Sequence, residues 1–134
     1  MEKRNLIYIV IVVLVLTLAV ILVARNPRVS SKIIDVDKAE ELINDENVFV
    51  INTHEPYMGE IEGTDLIAED WENMVSYQNE LPEDKSTPIL VYCRSGSMSQ
   101  SASQQLIDLG YKNVYDLEGG MNAWQLKGND LVIN

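Results

Sequence analysis

The sequence predicts an α/β domain, with a parallel sheet between two helical layers, and one apolar helix ahead of it. Short continuous apolar runs, typical of strands covered on both faces, alternate with segments whose apolar residues have helical spacing. The connections between them are short, which favours parallel strands joined by helices. A chain of 134 residues has room for one such domain and a short additional segment.

The first segment, Leu6 to Ala24, contains no charged residue and consists almost entirely of Leu, Ile and Val. As a helix it would be about 28 Å long, close to the ~30 Å hydrocarbon core of a bilayer. Its insertion free energy sums to about −5 kcal/mol or better. We therefore expect residues 1–25 to form a transmembrane anchor of a single-pass membrane protein.

Two other interpretations of this segment are less favoured. A cleaved signal peptide has a shorter apolar core and a small-x-small cleavage site, whereas Leu22-Val23-Ala24 places Leu where a small residue is needed. A buried core helix would rarely lack polar residues over this length. An uncleaved anchor is the better interpretation.

The side of the membrane depends on the flanking charges. Lys3 and Arg4 precede the apolar run, and Arg25, Arg28 and Lys32 follow it. The positive charges on the two sides nearly balance, so the positive-inside rule gives no strong preference for either orientation. A short basic head before a long apolar run is typical of an export signal or signal anchor. We expect the domain to lie outside the cytoplasm.

Residues 26–31 form a polar linker containing Pro27, and residues 32–134 form the domain. The domain is strongly acidic, and the whole chain has a net charge of −11. This charge repels nucleic acid and anionic lipid headgroups, so we expect neither as a partner. A single Cys excludes an intrachain disulfide and a Cys-based metal site.

The domain begins with a helix over residues 38–43, which either Asp35 or Asp37 could cap. Residues 48–51 are apolar and predict a covered strand, and a loop follows over residues 52–65. The later elements, in order, are a helix over 71–78, a strand over 89–92, a helix over 99–109, a strand over 113–116, a helix after Gly119-Gly120 and a closing apolar run over 131–133.

Cys93 directly follows the predicted strand 89–92, at the edge of the sheet where parallel α/β folds place their sites. The next residues, Arg94 to Ser97, are small apart from the arginine and lead into a helix. A tight loop of this kind can turn backbone N–H groups inward and bind an anion. A lone Cys is often only a small buried apolar residue, but this position favours a reactive thiolate.

Three segments resemble the rhodanese family. Cys93 to Ser99 resembles the active-site loop C-R-S-G-x-R-S, and Gly110 to Trp124 is similar to G-Y-x-N-V-Y-x-L-x-G-G-x-x-A-W. Gly59 to Thr64 resembles G-H-I-P-G-A. The resemblance covers nearly all of the chain after the linker.

The resemblance implies a three-layer α/β/α fold with a central parallel sheet of five strands. It implies sulfur transfer through a persulfide on Cys93, from a donor such as thiosulfate to a thiol or a cyanide-like acceptor, without a metal or organic cofactor. The loop implied to bind the donor and to stabilise the persulfide comprises Arg94, Ser95, Gly96, Ser97, Met98 and Ser99.

The chain departs from the family pattern at three places. Met98 replaces a basic residue, Glu60 replaces a histidine, and Asn52-Thr53-His54 stands where D-V-R is usual. We expect thiosulfate to be a poor donor, Glu60 to place an acid near the pocket, and His54 to be either an auxiliary proton carrier or a structural loop residue. These departures leave an alternative, a weakly active or inactive binding or regulatory module of the same fold.

A cysteine phosphatase or arsenate reductase is a third hypothesis. Loops of that kind need a cation at the position of Ser99, and Arg94 lies at the wrong end of the loop to clamp a phosphoryl group. This hypothesis is disfavoured.

Overall fold

A computed structural model describes residues 2–24, 29–45 and 47–134. One long helix precedes an alternation of strands and helices. The elements are α1 (Lys3–Ala24), β1 (Lys32–Ile34), α2 (Val36–Asn44), β2 (Phe49–Asn52), β3 (Leu66–Ile67), a 3₁₀ helix (Met74–Tyr77), β4 (Ile89–Tyr92), α3 (Ser97–Asp108), β5 (Val114–Leu117) and α4 (Gly120–Leu126).

The sheet has five strands in the order β1-β5-β4-β2-β3, and every pair is parallel. This confirms the predicted architecture. The central strand, β4, lies between β2 and β5, and all four of its residues are buried. Because the strands are parallel, their carboxyl ends share one edge, and the residues after β2 and β4 meet there.

Helices cover both faces of the sheet and form two separate cores. Because side chains alternate along a strand, Ile89 and Val91 of β4 join one core while Leu90 and Tyr92 join the other. The first core packs against α3 through Ala102. The second packs against α2 and α4, and its main members are Val36, Ala39, Val50, Ile61, Leu117, Met121 and Trp124.

Asp35 caps α2, which decides between the two capping residues that the sequence allowed. Its carboxylate accepts a hydrogen bond of 2.9 Å from the backbone N–H of Lys38. Asp37 instead lies in the first turn and pairs with Lys127. Val36 and Ala39 are buried, so the cap starts the helix with its apolar face on the sheet.

The predicted helix over residues 71–78 is wrong, because only a single 3₁₀ turn, Met74–Tyr77, forms there. The side chain of Gln105, in α3, forms hydrogen bonds with the backbone on both sides of the start of this 3₁₀ turn. It accepts from Met74 N at 2.9 Å and donates to Trp71 O at 2.9 Å. Since these groups are satisfied from another helix, a continuous helix is not needed to pair them.

The two edge strands, β1 and β3, have three and two residues and were not predicted from the apolar pattern. The closing run 131–133 contributes one antiparallel bridge between Val132 and Glu60. Edge strands pair with a neighbour on one side only and are often very short, so they carry no long apolar run.

The predicted anchor is one continuous helix, α1, and its apolar side chains are exposed. Lys3–Val23 is long and apolar enough to cross a membrane, with a mean hydropathy of 3.4, although a signal sequence has the same properties. Arg25, Arg28 and the first part of the predicted linker lie outside the described residues.

Candidate functional site

The cysteine loop, residues 93–99, connects the central strand β4 to α3 at the carboxyl edge of the sheet. Cys93 is 1% exposed, and Ser99 is fully buried. Three residues between them, Arg94, Ser95 and Ser97, are exposed, whereas Met98 is half-buried. The loop therefore has a polar rim and a buried sulfur at its base.

The sulfur of Cys93 lies against the first turn of α3. The backbone N–H of Gly96 donates to Sγ at 3.0 Å, and the Ser99 hydroxyl oxygen lies 3.6 Å from the same atom. Gly96 has φ +113°, a conformation that favours glycine and that turns its N–H toward the sulfur. α3 has twelve residues, and the N-terminus of such a helix stabilises negative charge.

α4 holds the other side of the loop. Met121 N donates to the carbonyl of Cys93 at 2.8 Å, and Asn122 N donates to the carbonyl of Arg94 at 3.0 Å. A Cβ atom on Gly120 would lie 2.2 Å from the Cys93 carbonyl oxygen, which no pair of atoms tolerates. The close approach of α4 to the loop therefore requires glycine at position 120.

Asp116 of β5 is a buried carboxyl that the sequence did not single out. It is 5% exposed, and its Oδ1 has no hydrogen-bond partner within the described part of the chain. Burial raises the pKa of Asp116, and the nearby Ser99 hydroxyl opposes that rise. An acidic residue inside a strand with covered neighbours was the available signal.

His54 follows β2 on the same edge of the sheet, as predicted, and is 7% exposed. Its backbone N–H donates to Asn52 Oδ1 at 2.9 Å, and its Nε2 lies 3.2 Å from the sulfur of Met58. Burial lowers the pKa of His54, and the positive charge of Arg94 lowers it further. Both effects favour the neutral imidazole, and the negative charge of Glu55 opposes them.

Glu60 contacts the C-terminal segment of the chain. Its carboxylate accepts hydrogen bonds from Tyr57 and Asn134, and its backbone pairs with Val132. These contacts join the loop after β2 to the last residues of the chain, and none of them involves the cysteine loop. Among residues 2–24, 29–45 and 47–134, no group of three or more His, Cys, Asp or Glu is arranged to hold a metal ion.

Known proteins resemble this chain in sequence and in fold. The family model of the rhodanese-like domain matches residues 22–127. A protein of Pseudoalteromonas translucida named thiosulfate sulfurtransferase GlpE is 29% identical over 104 residues, covering 75% of this chain and 95% of the relative. A protein of the same name from Coxiella burnetii is 50% identical over 42 residues, which span 31% of this chain and only 39% of that relative's length.

A solved structure supports the same assignment at the level of the fold. The rhodanese-related protein of Thermoplasma volcanium superposes with a TM-score of 0.63 at 25% identity, covering 77% of this chain and 99% of the other. The family model spans most of the chain and includes the sheet, the cysteine loop and α4. The chain therefore belongs to the rhodanese-like domain family.

Proposed function

We propose that the protein is a sulfurtransferase whose nucleophile is the thiolate of Cys93. The observation that carries this proposal is the 3.0 Å contact between Gly96 N and Sγ at the start of α3. A backbone N–H and a helix N-terminus both favour a negatively charged sulfur over a neutral one. The relatives named thiosulfate sulfurtransferase support the same reaction class.

The reaction has two displacements. In the first, the thiolate attacks the outer sulfur of the donor, and the bond between that sulfur and the rest of the donor breaks. The leaving group takes the electron pair, which for thiosulfate produces sulfite, and Cys93 becomes a persulfide. In the second, a thiol or cyanide-like acceptor attacks the outer sulfur of the persulfide and restores the thiolate.

The loop residues have separate roles in this proposal. The Gly96 amide, with others from Arg94 to Ser99, would stabilise the charge on the persulfide. The exposed guanidinium of Arg94 would attract an anionic donor to the rim. His54 is an auxiliary candidate at the same rim, and its contact with Met58 together with the hydrogen bond from its backbone to Asn52 favours a structural part over proton transfer.

Met98 makes thiosulfate a poor fit, because the loop then offers one cation, Arg94, to a doubly charged donor. The net charge of −11 adds repulsion at long range. We therefore infer that the preferred donor is a less charged sulfane sulfur compound, such as an organic polysulfide.

Introducing a cation at position 98 is expected to improve the use of thiosulfate. Met98→Arg should raise kcat/KM for thiosulfate by roughly fivefold, as a half-exposed ion contact of about 1 kcal/mol would. The same substitution should leave kcat/KM for an uncharged organic trisulfide unchanged. Transfer to cyanide by the full chain in detergent is the measurement, and Met98→Gln is the neutral control. A gain in Met98→Gln equal to that in Met98→Arg would contradict the charge argument.

We further propose that residues 1–25 anchor the protein, that 26–31 are a linker, and that the domain 32–134 lies outside the cytoplasm. The length and hydropathy of α1 support an anchor. In intact cells, a membrane-impermeant thiol reagent is expected to label Cys93, and the protein should stay in the membrane pellet after alkaline extraction. Labelling only after lysis would place the domain inside, and release by alkali would exclude an anchor.

A further inference from the structure

The polypeptide enters the domain at the edge of the sheet opposite to the cysteine loop. β1 begins at Lys32, and because all five strands are parallel, every strand starts at this edge, here called the amino edge. Cys93 directly follows β4, so it lies at the carboxyl edge. The chain therefore arrives from α1 on one side of the domain, and the cysteine loop lies on the other.

The residues just before β1 confirm this placement of the entering chain. Val29 lines a surface groove together with three residues from the C-terminal half of α3, namely Gln104, Ile107 and Asp108. α3 starts at Ser97 in the cysteine loop, and its twelve residues span about 18 Å. The entering chain is thus about two to three turns of α3 away from the loop.

The segment between α1 and Val29 is short. Ala24, the last residue of α1, and Val29 are five residues apart, so the chain between them spans at most about 18 Å when fully extended. This is about the length of α3. A domain turned with its cysteine loop toward the end of α1 would need nearly all of this reach, and holding a chain fully extended costs conformational entropy.

The charges at the two edges favour the same orientation. Within three residues before a strand start, the described residues carry one acid and one base, Asp65 and Lys112. Within three residues after a strand end, they carry one base, Arg94, and six exposed acids, of which Asp37 is paired with Lys127. These acids are Asp35, Asp37, Glu55, Glu69, Asp70 and Glu118. Anionic lipid headgroups therefore repel the carboxyl edge more strongly than the amino edge.

We propose that the anchored protein holds the amino edge of its sheet toward the bilayer and opens the cysteine loop toward water. Cys93 then meets compounds that are dissolved in water, so its sulfur donor and its thiol acceptor are water-soluble and are not dissolved in the lipid. This inference rests on the proposed function at one point, the role of residues 1–25 as a membrane anchor.

Two introduced cysteines at the ends of β5 test this orientation. Lys112 is exposed two residues before β5, and Glu118 is exposed directly after it. In a Cys93→Ser background, Lys112→Cys and Glu118→Cys each provide the only cysteine, since the wild-type chain has one. An extended chain places the two positions about 20 Å apart. Neither position belongs to the cysteine loop.

The measurement uses the full chain in vesicles of phosphatidylcholine and phosphatidylglycerol that contain a lipid with a maleimide on its headgroup. For each variant, the rate of modification by this lipid is divided by the rate with membrane-permeant N-ethylmaleimide, which corrects for the reactivity of the thiol itself. We expect the ratio to be about tenfold or more higher for Lys112→Cys, because a thiol held near the bilayer meets the lipid maleimide at a high effective concentration.

Equal ratios for the two variants, or a higher ratio for Glu118→Cys, would overturn the inference and leave the anchor in place. Glu69→Cys, a second exposed position at the carboxyl edge, should agree with Glu118→Cys and replaces it if that variant does not unfold cooperatively on heating. Flotation of the vesicles in a density gradient examines the anchor separately. A chain that stays behind would refute the anchor and this orientation together, whereas sulfur loading on Cys93 is independent of both.

Discussion

Cys93→Ser is expected to abolish the loading of sulfur onto the protein while leaving the fold intact. A serine hydroxyl is not ionised at neutral pH and does not attack sulfane sulfur, so no persulfide can form. The smaller oxygen can still accept the Gly96 N–H, which now lies 3.0 Å from Sγ. The change in the free energy of unfolding should therefore be within about 1 kcal/mol. Intact-mass spectrometry after exposure to an organic trisulfide should detect the added sulfur only on the wild type.

Ser97→Ala is the matched control, because Ser97 is an exposed residue of the same loop. It should gain sulfur as the wild type does. Equal gain of sulfur by Cys93→Ser would disprove a persulfide on Cys93. If the wild type also fails with every donor, the alternative of a binding or regulatory module is favoured, and Cys93→Ser should then preserve the cellular role.

Gly120→Ala should disrupt the cysteine loop although it substitutes none of the loop residues. The added Cβ would lie 2.2 Å from the Cys93 carbonyl oxygen and 2.9 Å from the carbonyl of Arg94. These are backbone atoms and cannot rotate away, so α4 must move and weaken the hydrogen bonds from Met121 and Asn122. We expect a loss of about 2–4 kcal/mol in the free energy of unfolding. Sulfur loading should fall on the order of 100-fold, since a displacement of about 1 Å can have this effect.

Gly128→Ala is the control that distinguishes the steric overlap at position 120 from the backbone strain of placing a side chain at a positive φ. Gly128 has φ +99° and no atom within 4 Å of its added Cβ, whereas Gly120 has φ +53°, which a side chain adopts more easily. Gly128→Ala should therefore cost about 1–2 kcal/mol from the backbone alone and keep wild-type sulfur loading. Urea unfolding and the loading assay measure both effects. If the two variants lose loading equally, the contact between α4 and the loop does not position Cys93.

Local patterns predicted most of the elements correctly. The strand 89–92 has the same limits in the structure, and the helix predicted over 99–109 corresponds to α3. Such patterns depend on residues that are near in sequence, namely apolar runs, helical spacing and a residue such as Asp35 at a helix start. The same logic failed at residues 71–78, because Gln105, distant in sequence, binds the backbone there.

The candidate site was predictable only in part, for a similar reason. The position of Cys93 directly after a covered strand is a local feature, and it is enough to predict that the thiol lies at the working edge of a parallel sheet. Gly120 was not recognised, because no local pattern indicates its role, and the one local signal for Asp116 was an acidic residue inside a covered strand. Gly120 matters through its close approach to the cysteine loop, which lies well before it in the chain.

The sequence alone thus determined the alternation of strands and helices, the apolar helix and the location of Cys93 at the edge of the sheet, since each is encoded by neighbouring residues. The tertiary structure alone decided which residues from other elements lie close to the cysteine loop. Parallel pairing of β4 with β5 places Asp116 opposite Val91, two residues before Cys93, and the packing of α4 on the loop leaves room only for glycine at position 120. Sheet order and helix packing bring together residues that no local spacing connects, so these contacts become visible only when the chain is folded.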